Sequence, residues 1–252
     1  DGISFQSALS TIGYDGPVDV GTRSFGAYIE AHIEQGPILE AEQVPVGIVT
    51  GAQGQRWYEL TITGMEAHAG PTPMRLRKDA LVAAAGIIQE VNAIALRHQP
   101  FACGTCGVIE SHPNSRNVIP GQVFLTIDLR HPDDAILSQM DLELREACKR
   151  LRESGIFGVD LKEIWHFAAT PFDKNITSVI AQSASDLGYG HREIVSGAGH
   201  DAVYVAGTCP TGMIFVPCEN GISHNEIENA HQDDIAAGCQ VLLRSMAALA
   251  SA

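Results

Sequence analysis

The chain has 252 residues, 45% of them hydrophobic and 18% charged, which is ample for a buried core and excludes a disordered chain. At roughly 150 residues per domain it holds one large domain or two smaller ones. Lys+Arg 16 against Asp+Glu 30 leaves a net charge of −14, which repels phosphate backbones and anionic lipid surfaces, so neither nucleic acid nor membrane is an expected partner.

No apolar run approaches the roughly 18 residues that span a bilayer, and no basic-then-apolar leader opens the chain, so a soluble protein is expected. Six cysteines in a chain of this length read as free thiols of a reducing, cytoplasmic compartment. Cys103 and Cys106 have half-zinc-site spacing, but without a second pair they read as structural.

In chain order, residues 3–11 form a short helix, and Tyr28 to Gln35 alternates like a strand until Gly36-Pro37 breaks it. Ile38 to Gln43 reads as one or two helical turns and Val46 to Val49 as a short strand. Trp57 to Thr63 alternates as a strand, and Asp79 to His98 repeats its apolar residues at helical spacing. Ala102 to Glu110 and Val123 to Leu129 are predicted strands, joined by a loop rich in Pro, Asn and Gly. Asp133 to Glu153 is a second amphipathic helix and Val159 to Phe167 a further strand.

That order, β-α-β-β-α-β, is the ferredoxin-like arrangement, with two helices covering one face of a four-stranded antiparallel sheet. Beyond it come a helix (Lys174 to Leu187), a strand (Arg192 to Val195), the turn Ser196 to Gly199 and an apolar strand (Gly212 to Pro217). A long helix starts at Gln232, with Ile235, Cys239, Leu242, Leu243, Met246 and Leu249 on its expected buried stripe. Unbroken apolar strands alternating with helices imply a parallel or mixed sheet. The fold class is therefore α/β, with segments 1–51 and 168–252 forming one domain and 52–167 a ferredoxin-like insert. The first segment is short for half of an α/β domain, and the chain is expected to be part of a longer protein.

Three histidine segments draw attention. His32 and Glu34 are two apart on a strand and so share a face, at a strand end where α/β domains build sites. His224 follows the apolar strand of residues 212–217 in a polar loop, and His68 sits in a Gly-Pro turn of the insert. Arg130 ends a strand and offers a planar fork for a carboxylate. Asn117 lies in a turn, and Gly199-His200 leads toward a possible helix. Each of these also has a plain structural reading, and together they match no local zinc motif. Taken alone they indicate an α/β hydrolytic or binding domain, with metal use left open.

Seven segments in collinear order carry something more specific: HIEQGP (32–37), GAQGQRWY (51–58), AHAGPTPMRLRKDAL (67–81), SRNVIPG (115–121), DLRHPDD (128–134), SGAGHDA (196–202) and GISHNEIE (221–228). This set resembles the N-carbamoyl-L-amino-acid hydrolases of the M20-type metallopeptidase superfamily, relatives of allantoate amidohydrolase and β-ureidopropionase. The resemblance implies a catalytic α/β domain with two divalent ions (Zn, Mn, Co or Ni) and an inserted lid through which the subunit forms a homodimer. It implies His32 and His224 as metal ligands. Gln35, His68, Asn117 and Arg130 would contact a small ureido substrate bearing a carboxylate, with Arg130 on that carboxylate and His68 and Asn117 on the carbonyl oxygen. Gly199 and His200 would line the pocket.

The implied reaction is cleavage of the carbamoyl C–N bond to amino acid, CO2 and NH3. Allantoate or β-ureidopropionate hydrolysis is the alternative, and a non-catalytic lid-and-dimer module with a degenerate metal site is the alternative of another class. The family's remaining ligands (a His, an Asp and a Glu) and its general-base Glu lie upstream of HIEQGP. Nothing before Tyr28 matches them, so the 252-residue chain alone is expected to be inactive.

Overall fold

A computed structural model describes residues 2–19 and 21–251; Asp1, Val20 and Ala252 lie outside the description. The chain runs α1 (Phe5–Thr11), β1 (Tyr28–Ile33), α2 (Ile38–Glu42), β2 (Val46–Ala52), β3 (Gly54–Thr63), β4 (Ala67–His68), α3 (Ala80–Arg97), β5 (Cys103–Thr105), β6 (Ile109–His112) and β7 (Val118–Ile119). It continues with β8 (Gln122–His131), α4 (Asp134–Glu153), β9 (Gly158–Phe167), β10 (Thr170–Pro171), α5 (Lys174–Asp186), β11 (His191–Ser196), α6 (Asp201–Val205), β12 (Thr211–Val216) and α7 (Gln232–Ala250).

The two flanks of the sequence build one mixed sheet. β1 runs parallel to β12, β12 antiparallel to β2, and β2 takes β11 in parallel on its other side, while the short β10 pairs antiparallel with the end of β2 on the β12 side. β2 and β12 are buried almost throughout, as an apolar strand covered on both faces must be. On one face Val46, Ile48 and Ile214 pack against Ile176, Ile180 and Ala184 of α5 and Ala237 and Val241 of α7. On the other, Val49, Met213 and Phe215 pack against Leu39 of α2 and Ala202 and Val203 of α6. The result is a three-layer α/β arrangement.

The middle of the sequence builds a second, antiparallel sheet. β8 lies between β3 and the two short strands β5 and β6, and β9 flanks β3 on its far side. Val123, Leu125, Ile127 and Leu129 of β8 alternate with half-exposed residues and meet α3 and α4 on one face only. Both helices start at an aspartate whose side chain accepts two backbone N–H groups, Asp79 for α3 and Asp133 for α4. Tyr58 donates its hydroxyl to Asp141 of α4 at 2.7 Å, and Arg56 and Arg145 pair with the same carboxylate. That knot fixes α4 over the sheet.

Four expectations need correction. The strand at 102–110 is two strands, because three residues (106–108) stand opposite two of β8 and shift the register, although Val108 still accepts from Thr126 N. The stripe expected of α7 is rotated: Ile235, Cys239, Leu243 and Met246 are exposed, while Ala237, Gly238, Val241 and Ser245 are buried. A Cβ at Gly238 would lie 2.5 Å from Val216 Cγ1, so the helix approaches β12 through its smallest residues. Glu34 follows the last residue of β1, and its carboxylate is taken up by the amides of Ile38 and Leu39 rather than standing free beside His32. And α3 is long and apolar enough to cross a membrane by length and composition, although Ala80, Ala84, Ile87, Val91, Ile94 and Ala95 bury one side of it in the core.

Candidate functional site

β1 and β12 run parallel, so their carboxyl ends open at the same edge of the mixed sheet, where α/β folds gather side chains. His32 is half-buried on β1, and its Nδ1 lies 2.9 Å from the carbonyl oxygen of Ile33. A carbonyl only accepts, so Nδ1 carries the proton and Nε2 is left with its lone pair. Two residues on, Glu34 is buried and accepts from the amides of Ile38 at 2.9 Å and Leu39 at 2.7 Å. It therefore caps α2 and shapes the turn that holds Gln35, whose φ of 57° is left-handed.

Gln35 donates its amide to Ser223 Oγ at 2.9 Å and approaches His224 Nε2 at 3.4 Å. His224 is exposed and also left-handed, with φ 55°. The loops after β1 and after β12 thus meet through one glutamine, and Gly221, at φ 65°, passes so close to Gly36 and Pro37 that a Cβ would lie 2.7 Å from backbone.

His200 comes from the turn after β11. Its ring stands edge-on to His32 with centroids 4.7 Å apart. The Ser196 hydroxyl donates to the carbonyl of Ala198, so at 2.8 Å it accepts from His200 Nε2. Burial, reinforced by neighbouring His32, pushes His200 down to about 4. It is neutral near pH 7, and its 3.9 Å approach to Glu30 is not an ion pair there. Glu30 instead accepts the amide of Ala202, the second residue of α6, at 2.7 Å. Gly199 is exposed in the same turn.

Arg130 reaches this turn from the other sheet. Its Nη1 donates to the carbonyl of Gly197 at 2.6 Å, while Nε and Nη2 grip Asp128. Three of its five N–H groups are so engaged; among the described residues the other two, one on each terminal nitrogen, have no partner. Arg130 and Asp128 alternate on one strand face, and about a quarter of each side chain is exposed.

His68 and Asn117 form a separate pair. β4 and β7 make a two-residue ribbon in which His68 opposes Val118, and the amide of Ala69 donates to the carbonyl of Asn117 at 2.8 Å. Gly70 N donates to His68 Nδ1 at 3.1 Å, leaving Nε2–H as a donor. Ser115 Oγ donates to Asn117 Oδ1, leaving the Asn117 amide as another. Both side chains are exposed.

The described residues thus bring His32, Gln35, His200 and His224 together, join Arg130 to them through Gly197, and leave His68 and Asn117 as a second cluster. Glu30, Asp128, Ser196 and Ser223 were not anticipated. The available signal was strand spacing for Glu30 and Asp128, each two residues before an anticipated site residue. Among the described residues no three His, Cys, Asp or Glu side chains stand close enough to hold a metal. His32 Nε2 suits a borderline divalent ion as a single ligand, and the donors present do not amount to a complete site.

Residues 9–248 match peptidase family M20/M25/M40. The chain is 44% identical over 98% of its length to an N-carbamoyl-L-amino-acid amidohydrolase of Rhizobium meliloti, covering 59% of that protein. It is 35% identical over 96% of its length to an allantoate amidohydrolase of Escherichia coli, again covering 59% of it. Among solved structures, an amidase of the hydantoinase/carbamoylase family from Burkholderia multivorans superposes with a TM-score of 0.93 at 53% identity, over 96% of this chain and 59% of that one. The chain therefore spans about three-fifths of the length of these relatives.

Proposed function

Since the chain belongs to peptidase family M20/M25/M40, whose members generally use divalent metals, we propose that it carries the larger part of a metal-dependent amidohydrolase cleaving the carbamoyl C–N bond of N-carbamoyl-L-amino acids. The similarity to the Rhizobium meliloti amidohydrolase supports this substrate class. The observation that carries the reading is the junction of Arg130 with the His200 turn, which sets a carboxylate-binding guanidinium beside two imidazoles.

In this reading Arg130 anchors the substrate carboxylate through its two unengaged N–H groups, and Asp128 orients the fork. His32 and His224 each contribute one imidazole to a metal site that is completed by residues outside this chain. A divalent ion bound there would polarise the carbonyl and acidify a water molecule. His68 Nε2–H and the Asn117 amide stabilise the negative charge that develops on the carbonyl oxygen. Gln35 ties the two ligand-bearing loops together. Residues 52–167 act as the lid and pair with a second copy, which the exposed Leu81, Val82 and Leu96 on α3 support.

The test is ammonia release by the full-length protein with added Mn or Zn from N-carbamoyl-L-amino acids, β-ureidopropionate and allantoate. Preference for N-carbamoyl-L-amino acids is expected. Preference for allantoate would move the assignment to the activity named for the Escherichia coli relative, and turnover of none would overturn it.

A further inference from the structure

Both tryptophans of the chain stand on the open face of the antiparallel sheet, away from α3 and α4. Trp57 of β3 pairs with Trp165 of β9, their rings 4.9 Å apart. Trp165 stacks on Phe167 at 5.9 Å, and Phe167 meets Tyr204 of α6 edge-on at 5.8 Å. Simple alternation would not place them so. Val159, Leu161 and Glu163 of β9 face the helices, which would send Trp165 and Phe167 the same way. A register shift opposite Trp57 and Tyr58 inserts one extra residue, Ile164, and turns both rings to the open face. Bulges that re-aim side chains are common beside binding sites.

The row lies next to the anchoring guanidinium. Trp57 also pairs with Asp128 across β3 and β8, and Gln55 with both Arg130 and Phe167, so all share one face. The guanidinium touches Gly197 and the row touches Tyr204, and the segment between these carries His200 against His32. Trp57 is 40% and Trp165 37% exposed, so core packing does not account for the two indoles.

We propose that this aromatic row is the side-chain subsite, and that it selects N-carbamoyl-L-amino acids with an aromatic side chain. The inference rests on the amidohydrolase reading, with Arg130 on the substrate carboxylate. The carboxylate and the side chain leave the same carbon, so anchoring one at Arg130 lays the other on the neighbouring rings. A polar ureido arm, as in allantoate, has no apolar surface to offer them.

The experiment compares kcat/KM for N-carbamoyl-L-phenylalanine and N-carbamoylglycine in the full-length, metal-supplemented protein, before and after Trp57→Leu and Trp165→Leu. These replacements keep an apolar side chain but remove the indole and its π face; circular dichroism checks folding, and Tyr204→Leu, at a 68% exposed position, replaces any variant that does not fold. The parent is expected to favour the phenylalanine derivative by at least about tenfold, with the variants reducing that ratio at least about threefold, mainly through KM. A parent ratio near one, or ratios unmoved by every folded variant, overturns the subsite and leaves the activity standing. No turnover of either compound overturns both.

Discussion

Replacing Glu34 by Gln should cost about 2–3 kcal/mol of stability, although the residue lies between two candidate site residues. The carboxylate accepts two amides, Ile38 N at 2.9 Å and Leu39 N at 2.7 Å, and it is 8% exposed. Charge-assisted hydrogen bonds contribute roughly 1.5–3 kcal/mol each, and a buried amide left without an acceptor costs about 1–3. Gln keeps one acceptor oxygen but turns an NH2 toward the second amide. Leu39 is fully buried, so water cannot replace the lost partner there. At roughly 2–4 °C per kcal/mol for a chain of this size, the melting temperature should fall by about 5–10 °C. Circular dichroism melts give the shift, and hydrogen exchange at the Leu39 amide localises it. Unchanged stability with weakened binding of Mn or Zn would refute the capping role and mark Glu34 as a ligand.

Arg130→Ala in the full-length protein should lower kcat/KM by an amount on the order of 2–5 kcal/mol while destabilising the fold by less than about 1, because the pair with Asp128 is a quarter exposed; normal kinetics with an early melt would make it a structural ion pair. Burial holds the His131 imidazole below its ordinary value near 6.5. As pH falls below about 6.5 the unfolded chain takes up that proton before the folded one, so stability drops until the lowered folded pKa is passed. Urea midpoints at pH 7.5 and 5.5 should therefore separate more in the parent than in His131→Asn, and equal separations would contradict this. Iodoacetamide under native conditions should modify the exposed Cys103 and Cys239 first, whereas Cys148 is buried and its thiol is pushed up to about 11; mass spectrometry showing early Cys148 labelling would mean that the α4 packing is wrong.

The long elements were legible because their periodicity is strong and their starts are marked, as Asp79 and Asp133 mark α3 and α4. β4 and β7 were not, since two-residue strands carry no period and exist only as partners of each other. The α7 stripe was misjudged for a related reason. Large apolar residues signal burial in a sequence, but close helix-to-strand approach selects small ones, here Ala237, Gly238 and Ser245. At the site, His32 was visible near the end of a strand and His224 in the loop after one. The contact of His32 with His200, from distant parts of the chain, belongs to the tertiary fold. Glu34 was visible as a chemical group, but its capping role depends on where the chain turns after Gly36.

The way the antiparallel unit is spliced into the mixed sheet bears on the order of folding. The chain leaves at Ala52 and re-enters at Thr170, and these two residues pair directly. Asp134 Oδ1 accepts Ala169 N at 2.8 Å at the same junction. In an unfolded chain that pairing closes a loop of more than a hundred residues, with an entropic cost that grows with the logarithm of loop length. Once β3, α3, β8, α4 and β9 have assembled by their own shorter-range contacts, residues 52 and 170 are already neighbours. The long closure becomes a short one, lowered on the order of a few kcal/mol. The middle of the sequence should therefore form early, acting as a clamp on which β2, β11 and β12 find their register.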